Sequence, residues 1–374
     1  MLQKRISRSK VIVPKDCTGC SLCTLVCPHK CITMAEGKLG HLFPLVDNKK
    51  CINCNLCIKT CPSNNNIKLI YPITAYAAWA KDKEEYISRT SGGAASVLSR
   101  YIISLGGVVY GCSMSSECDV QHIRIDNDEE LYKLKGSKYV QSNISDILPK
   151  LKEDIKQDRL VLFIGTPCQV AAVKKLFTVI PNNLYLIDLI CHGVPSLKTL
   201  RNYLKNMFGT IKFDSISFRN GRKKSLTLID KGIKLYVGSS KSDLYYKAFM
   251  EGLTNRDSCH HCIYAQPNRV SDITIGDFWG LGKKSKLDIP EHNEGVSVML
   301  PITEKGMSLI QTVKDKLNLY ERPIEEAIQG NSQLMAPSLA GKRIKIFQIL
   351  EPFLGLKRSY KVSHLDIILK NHLK

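Results

Sequence analysis

Two copies of one closely spaced cysteine pattern restrict the fold of this chain more than any other feature. Residues 17–28 and 51–62 both read C-x2-C-x2-C-x3-C-P. Together the two copies supply eight thiols: Cys17, Cys20, Cys23, Cys27, Cys51, Cys54, Cys57 and Cys61. Each copy is too short to bury an apolar core of its own, so a bound metal must supply the folding energy. Without that metal, we expect this part of the chain to unfold.

The spacing within each copy is typical of iron-sulfur ligation. Three thiolates from one tight loop bind one face of a 4Fe-4S cubane, while the fourth thiolate projects toward the neighbouring cluster. Zinc also accepts four cysteines, but eight cysteines with trailing prolines favour iron and sulfur. We expect electrons to move between two clusters. The predicted ligands are Cys17, Cys20, Cys23 and Cys61 for one cluster, and Cys51, Cys54, Cys57 and Cys27 for the other.

The context of these cysteines argues against disulfides. The N-terminal residues are basic but lead into no apolar signal segment, and no stretch approaches the roughly 18 apolar residues of a membrane span. We therefore expect a cytoplasmic protein, in which thiols stay reduced and cysteine clusters bind metals. Its formal net charge of +20 would attract acidic partners or anionic substrates. Nucleic acid is not expected, because no basic helix, RNA-binding aromatic pattern or zinc-finger spacing accompanies the charge.

After residue 72 the cysteines thin out, and apolar strands alternate with segments of helical periodicity. Two strand-loop-helix units, at residues 159–177 and 184–208, each place a cysteine after the strand, Cys168 and Cys191. Continuous apolar strands joined by helices predict a parallel sheet covered on both faces, with ligands beyond the carboxyl ends of the strands. Cys168 and Cys191 would lie at that edge.

The complete pattern predicts a mixed α+β and α/β architecture in three parts. We expect a bacterial-type ferredoxin-like module in residues 1–75, an α/β domain with a mainly parallel sheet plus antiparallel hairpins in residues 76–330, and a basic helical tail in residues 331–374. The hairpins are indicated by alternating segments around Asn220-Gly221 and Lys231-Gly232. In the tail, basic residues among apolar positions favour a packed helix over peripheral contact with an anionic membrane.

Four basic residues cluster at the first hairpin turn. They are candidates for binding an anionic substrate or an acidic ferredoxin, although a solvated loop has the same composition. The four are Arg219, Arg222, Lys223 and Lys224.

A second set of cysteines is dispersed along the chain. Cys259 and Cys262 form a two-ligand clip, and Cys168 and Cys191 follow neighbouring strands. A thiol that opens a helix, as Cys168 does, gains thiolate character from the helix N-terminus. The residues alone leave open a third iron-sulfur cluster, a zinc site, a nucleophilic pair of Cys168 and His192, or plain buried thiols. The other thiols are expected to be buried and inert: Cys31, Cys112 and Cys118.

Glycine-bearing loops at residues 91–93, at residues 165–167 and at Gly193 would let backbone amides approach a phosphate or a flavin ring. The chain contains no G-x-G-x-x-G and no Walker A sequence, so neither a Rossmann dinucleotide site nor a P-loop is indicated.

Several segments of the large domain resemble the beta subunit of coenzyme F420-reducing hydrogenase and its relatives, across about residues 85–310. The matching segments are residues 91–96, 136–142, 165–169, 188–195, 259–264 and 272–280. The resemblance implies an iron-sulfur flavoprotein in which FAD lies beside a third 4Fe-4S cluster. It also implies that Cys168, Cys191, Cys259 and Cys262 bind this cluster, which leaves His192 a neighbour rather than a base.

The resemblance further implies which residues contact the flavin. Lys138 would face its phosphates or the electron-rich side of the reduced ring, and Asp277 and Trp279 would orient the cysteine clip or cap the ring. The residues expected to line the pocket are Ser91, Gly92, Gly93, Lys138, Tyr139, Ser142, Thr166 and Gln169.

Taken together, these observations predict an oxidoreductase. Electrons would enter from a ferredoxin or another redox protein, reach FAD through the third cluster, and leave to a two-electron organic acceptor, or flow in reverse. A deazaflavin or an anionic, glycan-related compound would suit as the acceptor. The alternative is an electron-carrier or scaffold protein whose α/β domain binds a partner and catalyses nothing.

Overall fold

The computed structural model describes residues 16–65, 67–87, 90–209, 211–221, 223–284, 286 and 288–365. The basic N-terminal segment, Arg222, and Lys370 and Lys374 of the tail lie outside these residues.

The N-terminal part contains one short helix for each cysteine motif and a two-stranded sheet. Helix α1 spans Leu22–Val26 and α2 spans Leu56–Thr60, and the strands β1 (Ile32–Glu36) and β2 (Leu42–Val46) pair antiparallel. Each helix ends where the backbone becomes extended, at Cys27 and Cys61. The cause is the proline that follows each of these cysteines, because a residue before proline avoids the helical conformation.

An eight-stranded sheet forms the centre of the remaining chain, with the strand order β13-β3-β12-β11-β7-β6-β4-β5. Its strands are β3 (Ala75–Ala80), β4 (Val108–Met114), β5 (Val120–Ile125), β6 (Val161–Gly165), β7 (Leu184–Leu189), β11 (Ile273–Asp277), β12 (Ser297–Pro301) and β13 (Leu317–Arg322). Strands β11, β7, β6 and β4 run parallel in the middle of the sheet, and the outer pairs are antiparallel.

The sheet is therefore mixed. The expectation of a mainly parallel sheet was wrong, because antiparallel pairs flank the four parallel strands on both sides. The two units with a cysteine after the strand do form neighbouring parallel strands, β6 and β7, as predicted. The antiparallel pairs arise from connections that the sequence pattern does not fix. For example, β4 and β5 are joined by only a few residues, and a connection this short requires antiparallel strands.

Helices cover both faces of the sheet. They are α3 (Lys83–Ile87), α4 (Ala94–Ser104), α5 (Ile147–Lys156), α6 (Pro167–Lys174), α9 (Glu304–Thr312) and α10 (Ile324–Gly330). Two further helices, α7 (Leu197–Phe208) and α8 (Leu244–Met250), pack in a different apolar cluster with Phe218 and Leu226. Leu98 and Ile102 of α4 pack in one apolar cluster with β3 and β6, while α5 and α6 pack in another with Phe163 and Tyr110. Because both faces are covered, the central strands have no exposed apolar side.

A separate three-stranded antiparallel sheet consists of β8 (Ser215–Asn220), β9 (Lys223–Asp230) and β10 (Ile233–Ser239). The hairpins were predicted, and they form a sheet of their own rather than an extension of the large one. The tail contains helix α11 (Lys342–Ser363), which is interrupted at Gly355. Within the described part of the chain, no helix is long and apolar enough to cross a membrane.

Candidate functional site

The cysteines of the two N-terminal motifs separate into two groups. In the first group, burial together with the nearby thiols of Cys17 and Cys61 raises the pKa of Cys20 to about 12. Cys23 is affected by the same neighbours, so these four thiols lie near one another. The first cysteine group is Cys17, Cys20, Cys23 and Cys61.

The second cysteine group contains the other four motif thiols. Burial raises the pKa of Cys57, and the thiols of Cys27 and Cys54 add to this effect. Cys31 lies beside the group, with its sulfur 3.3 Å from that of Cys27 and within the electrostatic influence of Cys51. The fourth thiol of each motif thus joins the group formed by the other motif. The second cysteine group is Cys27, Cys51, Cys54 and Cys57.

The third cysteine group lies where the parallel strands end. Cys168 occupies the first turn of α6 after β6, and Cys191 follows β7. Cys259 belongs to a short 3-10 turn, Asp257–His261, and Cys262 follows it directly. Burial raises the pKa of Cys191, and the thiols of Cys259, Cys168 and Cys262 raise it further. The four cysteines that the resemblance implied as ligands are therefore close together.

The helix N-terminus does not dominate the acidity of Cys168, contrary to expectation. Burial raises the pKa of this thiol to about 11, and the hydroxyl of Thr166, 3.2 Å from the sulfur, offsets only part of the increase. A buried thiol of this kind becomes a thiolate when it binds a metal, which supplies the missing positive charge.

Each of the three groups offers four thiols as its donor set. A 4Fe-4S cluster binds four thiolates, and structural zinc accepts the same set. The residues present therefore fit the clusters that the cysteine spacing predicts.

The three groups form a series in space. Cys57 of the second group packs in one cluster with Cys23 of the first, and Cys168 of the third packs in another cluster with Cys20 of the first. Tyr264 is buried between the first and third groups and is influenced by thiols from both. The first group therefore lies between the other two.

A buried ion pair fixes the third group. The guanidinium of Arg269 donates to the Asp188 carboxylate at 2.8 Å and to the carbonyl oxygen of Leu189. The same guanidinium also donates to the carbonyl oxygen of Tyr264, two residues after Cys262. Because Asp188 lies on β7, three residues before Cys191, this ion pair joins the chain segments that carry two of the four thiols.

A cavity of about 600 Å³ opens beside the third group. It lies at the carboxyl ends of β6, β7 and β11, where the sequence predicted a ligand. Cys168 and Cys191 form part of its wall. Seven of the eight residues expected to contact a flavin also line it: Ser91, Gly93, Lys138, Tyr139, Ser142, Thr166 and Gln169.

Gly92 is the expected contact that does not line the cavity. A Cβ atom at this position would lie 2.1 Å from the carbonyl oxygen of Ala78 and 2.7 Å from the amide of Ser297. Glycine is required at this position so that the loop can pack against the sheet, and its neighbour Gly93 then enters α4 in the left-handed conformation.

The contacts of Lys138 differ from the predicted contact with the phosphates or the reduced ring of a flavin. Its ammonium group donates to the carbonyl oxygens of Cys112 (3.0 Å), Leu134 (3.1 Å) and Lys135 (2.7 Å). An ammonium group has three N–H donors, so all of them are engaged and none remains for a phosphate. Lys138 thus fixes the loop that forms one wall of the cavity.

A hydrogen-bond chain crosses the inner wall of the cavity. The Nε2–H of Gln169 donates to the hydroxyl of Ser142 at 3.1 Å, and this hydroxyl donates to Nδ1 of His122 at 2.8 Å. His122 donates from Nε2 to the carbonyl oxygen of Ile164 at 2.9 Å, which fixes its tautomer. Burial lowers the pKa of His122 to about 4, so the ring is neutral. Sequence reasoning missed His122, because a lone histidine in a strand carries no motif.

The hydroxyl of Ser96 also faces this region. It is buried against the cavity wall and has no hydrogen-bond partner among the described residues. Leaving a buried hydroxyl unpaired costs about 1–3 kcal/mol. A polar group of a bound molecule would remove that cost, so the wall fits a ligand with hydrogen-bonding groups such as a flavin.

The basic hairpin residues have different surroundings. Arg219 is buried and donates to the carboxylate of Asp277 at 2.8 Å, so its charge is already paired. The Lys224 ammonium lies 4.8 Å from the ring centre of Trp279, and both residues line the cavity. Burial lowers the pKa of Lys224, and the charge of Arg219 lowers it further. Asp277 and Trp279 thus belong to the cavity mouth, and the cysteine clip is held instead by Arg269.

His192 is not placed to activate Cys168. Its Nε2–H donates to the carbonyl oxygen of Met250 at 3.0 Å, and its Nδ1 accepts from the amide of Gln333 at 2.8 Å. Both ring nitrogens are therefore occupied, and the alternative of a nucleophilic Cys168–His192 pair has no geometric support.

The fold and the thiol groups define an iron-sulfur protein. Residues 16–65 match a 4Fe-4S dicluster domain, which is the segment that contains both N-terminal motifs. Residues 158–327 match the family model for the C terminus of the beta subunit of coenzyme F420 hydrogenase/dehydrogenase. The chain thus carries the C-terminal domain of the coenzyme F420 hydrogenase/dehydrogenase beta subunit family behind a 4Fe-4S dicluster domain, which confirms the resemblance. The matched region includes the third cysteine group but begins after Ser91, Lys138 and Ser142.

Individual relatives are more distant. A curated relative, the coenzyme F420-dependent sulfite reductase of Methanocaldococcus jannaschii, is 24% identical over 321 residues, covering 82% of this chain and 47% of the relative. The chain therefore spans about half the length of that relative. Among solved structures, a xenon derivative of the F420-reducing NiFe hydrogenase complex from Methanosarcina barkeri is 18% identical, with a TM-score of 0.49, and the match covers 82% of this chain and 94% of that one.

Proposed function

We propose that this chain is an iron-sulfur flavoprotein oxidoreductase that exchanges electrons between 4Fe-4S clusters, FAD and a two-electron organic acceptor. Its cofactors would be three 4Fe-4S clusters, held by the three cysteine groups, and one FAD in the cavity. Bound together, these groups would convert between one-electron and two-electron transfer. The sequence similarity to an F420-dependent reductase supports a redox role.

One observation carries this proposal: the cavity shares its wall with the third cysteine group. Cys168 and Cys191 contribute both to that group and to the cavity lining. A planar cofactor bound there would lie beside the third cluster site, which is the last in the series of three. A scaffold or carrier protein would need neither a cavity of about 600 Å³ nor a cluster site in its wall.

The cavity residues have separate tasks in this proposal. Tyr139 stacks on Phe249 with ring centres 5.0 Å apart and supplies a flat apolar wall. The chain from Gln169 to His122 presents fixed polar atoms, and Ser96 supplies an unused hydroxyl. Residues that are already hydrogen-bonded to one another keep the pocket formed in the absence of ligand.

We infer that the acceptor is an anionic small molecule that enters at the mouth of the cavity. Lys224 is the cation at that mouth, and in the described part of the chain it has no carboxylate in ion-pair contact. A deazaflavin or a glycan-related acid would meet this charge requirement, and an acidic ferredoxin is the proposed redox partner.

Quantification of iron and flavin in anaerobically purified protein tests the proposal. We expect iron for three clusters, one flavin per chain, and turnover when a reduced ferredoxin is combined with a dye acceptor. If the protein contains iron for only two clusters, lacks flavin and shows no turnover, the result would instead indicate the electron-carrier alternative.

A cavity-filling variant sharpens the test. Ser96→Phe places a ring in the proposed flavin site, and we expect it to lose flavin while keeping its iron. Ser104→Phe makes the same substitution at an exposed position of the same helix and serves as the control. Equal flavin content in the two variants would place the flavin elsewhere.

A further inference from the structure

Arg256 is a buried cation between the first and third cysteine groups. Its side chain is only 1% exposed. Its guanidinium donates to the sulfur of Cys17 at 3.4 Å and to the carbonyl oxygen of the same residue. On the other side, the carbonyl oxygen of Arg256 accepts from the amide of Cys259 at 2.9 Å, and the amide of Arg256 donates at 3.1 Å to the carbonyl oxygen of Val194, three residues after Cys191.

The remaining contacts of Arg256 supply no full negative charge. The guanidinium donates to the carbonyl oxygen of Leu42 at 2.6 Å and to the amide oxygen of Gln141 at 3.3 Å, and it lies 4.3 Å from the ring centre of Phe43. His41, which it also influences, is neutral, because burial and the Arg256 charge lower its pKa to about 3. Among the described residues, no carboxylate forms an ion pair with Arg256.

A buried and unpaired guanidinium is costly, because arginine stays ionised in proteins and desolvation of a charge is unfavourable. Thiolates are the remaining anions within its reach. When both cysteine groups hold their clusters, each site carries net negative charge on its ligands, and Arg256 lies between them. Arg256 therefore supplies positive charge to two anionic sites.

We propose that Arg256 is the shared counter-charge of the first and third cluster sites and raises the reduction potential of both. A nearby positive charge and a hydrogen bond to a ligand sulfur both favour the reduced, more negative cluster. This inference rests on the proposed function, because it assumes that clusters occupy both groups. Arg256 acts through the ligands and is a positioning and tuning residue, not a catalytic one.

The test is an anaerobic redox titration followed by electron paramagnetic resonance, on the full chain with its iron complement measured. In Arg256→Met we expect two of the three midpoint potentials to shift to lower values while the third stays unchanged. Arg256→Lys keeps the charge, so its two affected midpoint potentials should lie close to the wild-type values. Arg201→Met removes an equal formal charge at the surface, where Arg201 pairs with Asp119, and should shift none.

The results of this titration test the role of Arg256 independently of the proposed function. Unchanged potentials in an Arg256→Met protein with full iron would overturn it, as would a uniform shift of all three potentials. If Arg256→Met fails to retain iron, Arg256→Gln decides, because it removes the charge but keeps a polar side chain. A purely structural role predicts wild-type potentials in an Arg256→Gln protein with full iron, whereas the proposal predicts lower potentials at two clusters. Absence of the third cluster or of flavin from the wild-type protein would count against the proposed function instead.

Discussion

Arg269 and Asp188 form an ion pair that is almost completely shielded from solvent, with 2.8 Å between the guanidinium nitrogen and the carboxylate oxygen. The hydroxyl of Thr274 donates to the same carboxylate oxygen at 2.7 Å. The pair joins the end of β7 to the loop after Cys262, so its geometry sets the distance between segments that carry thiols of the third group.

We expect Arg269→Met to destabilise the fold by about 3–5 kcal/mol, because it leaves the Asp188 carboxylate buried without its partner. The variant should also lose the iron of one cluster, since the loop after Cys262 is no longer fixed. Denaturant unfolding and iron analysis measure the two effects. Removing both charges, in Arg269→Met with Asp188→Leu, should recover much of the stability. If the Arg269→Met protein is as stable as wild type, the ion pair does not have this structural role.

Cys168→Ala should remove the third cluster and leave the two N-terminal clusters in place. The reason is that Cys168 belongs only to the third cysteine group, whereas the dicluster segment supplies all eight ligands of the other two. Iron and acid-labile sulfide analysis gives the measurement. Cys118→Ala is the matched control, because Cys118 is buried in an apolar cluster remote from the three groups. A full iron content in the Cys168→Ala protein would refute the assignment.

Lys224→Ala should raise the KM for an anionic acceptor by about tenfold to a hundredfold, because one charge-assisted contact contributes about 1.5–3 kcal/mol. The rate with a neutral dye should stay close to wild type, and the salt dependence of the anionic reaction should weaken. Lys223→Ala provides the control, since Lys223 is the neighbouring residue on β9 and is exposed. Equal effects of the two substitutions would exclude a specific role for Lys224.

Stability should fall as the pH decreases from 7.5 to 5.5, in part because of His122. Burial lowers its folded-state pKa to about 4, below the value of about 6.5 for an exposed histidine. The unfolded chain therefore binds the extra proton first, and the contribution present above pH 6.5 is lost toward pH 4. This residue accounts for about 1 kcal/mol over the stated range. His122→Gln should show a shallower pH dependence in denaturant unfolding, and an unchanged slope would assign the effect elsewhere.

The N-terminal part was the most predictable region. Ligand spacing within a few residues, together with the proline after each fourth cysteine, determines where each short helix ends and which thiols can share a cluster. The strands that precede Cys168 and Cys191 were also predictable, because a continuous apolar run followed by a helix has few other solutions.

Other features depended on contacts between distant residues. The three carbonyl oxygens around Lys138 come from two separate segments, so the resemblance alone placed its charge at the phosphates or the reduced ring of a flavin. Arg256, Arg269 and His122 carry no motif, and their importance follows only from what the fold places around them. The antiparallel flanks of the large sheet likewise depend on strand pairing that single segments do not encode.

The sequence by itself determined the chemistry of this protein, because thiol spacing is local and four cysteines at those intervals suit an iron-sulfur cubane. The tertiary structure decided how that chemistry is arranged: which thiols from remote segments form the third group, where the cavity meets it, and which buried arginine lies between two cysteine groups. These features arise from packing and from the cost of burying charge, and both are properties of the assembled chain rather than of any one segment.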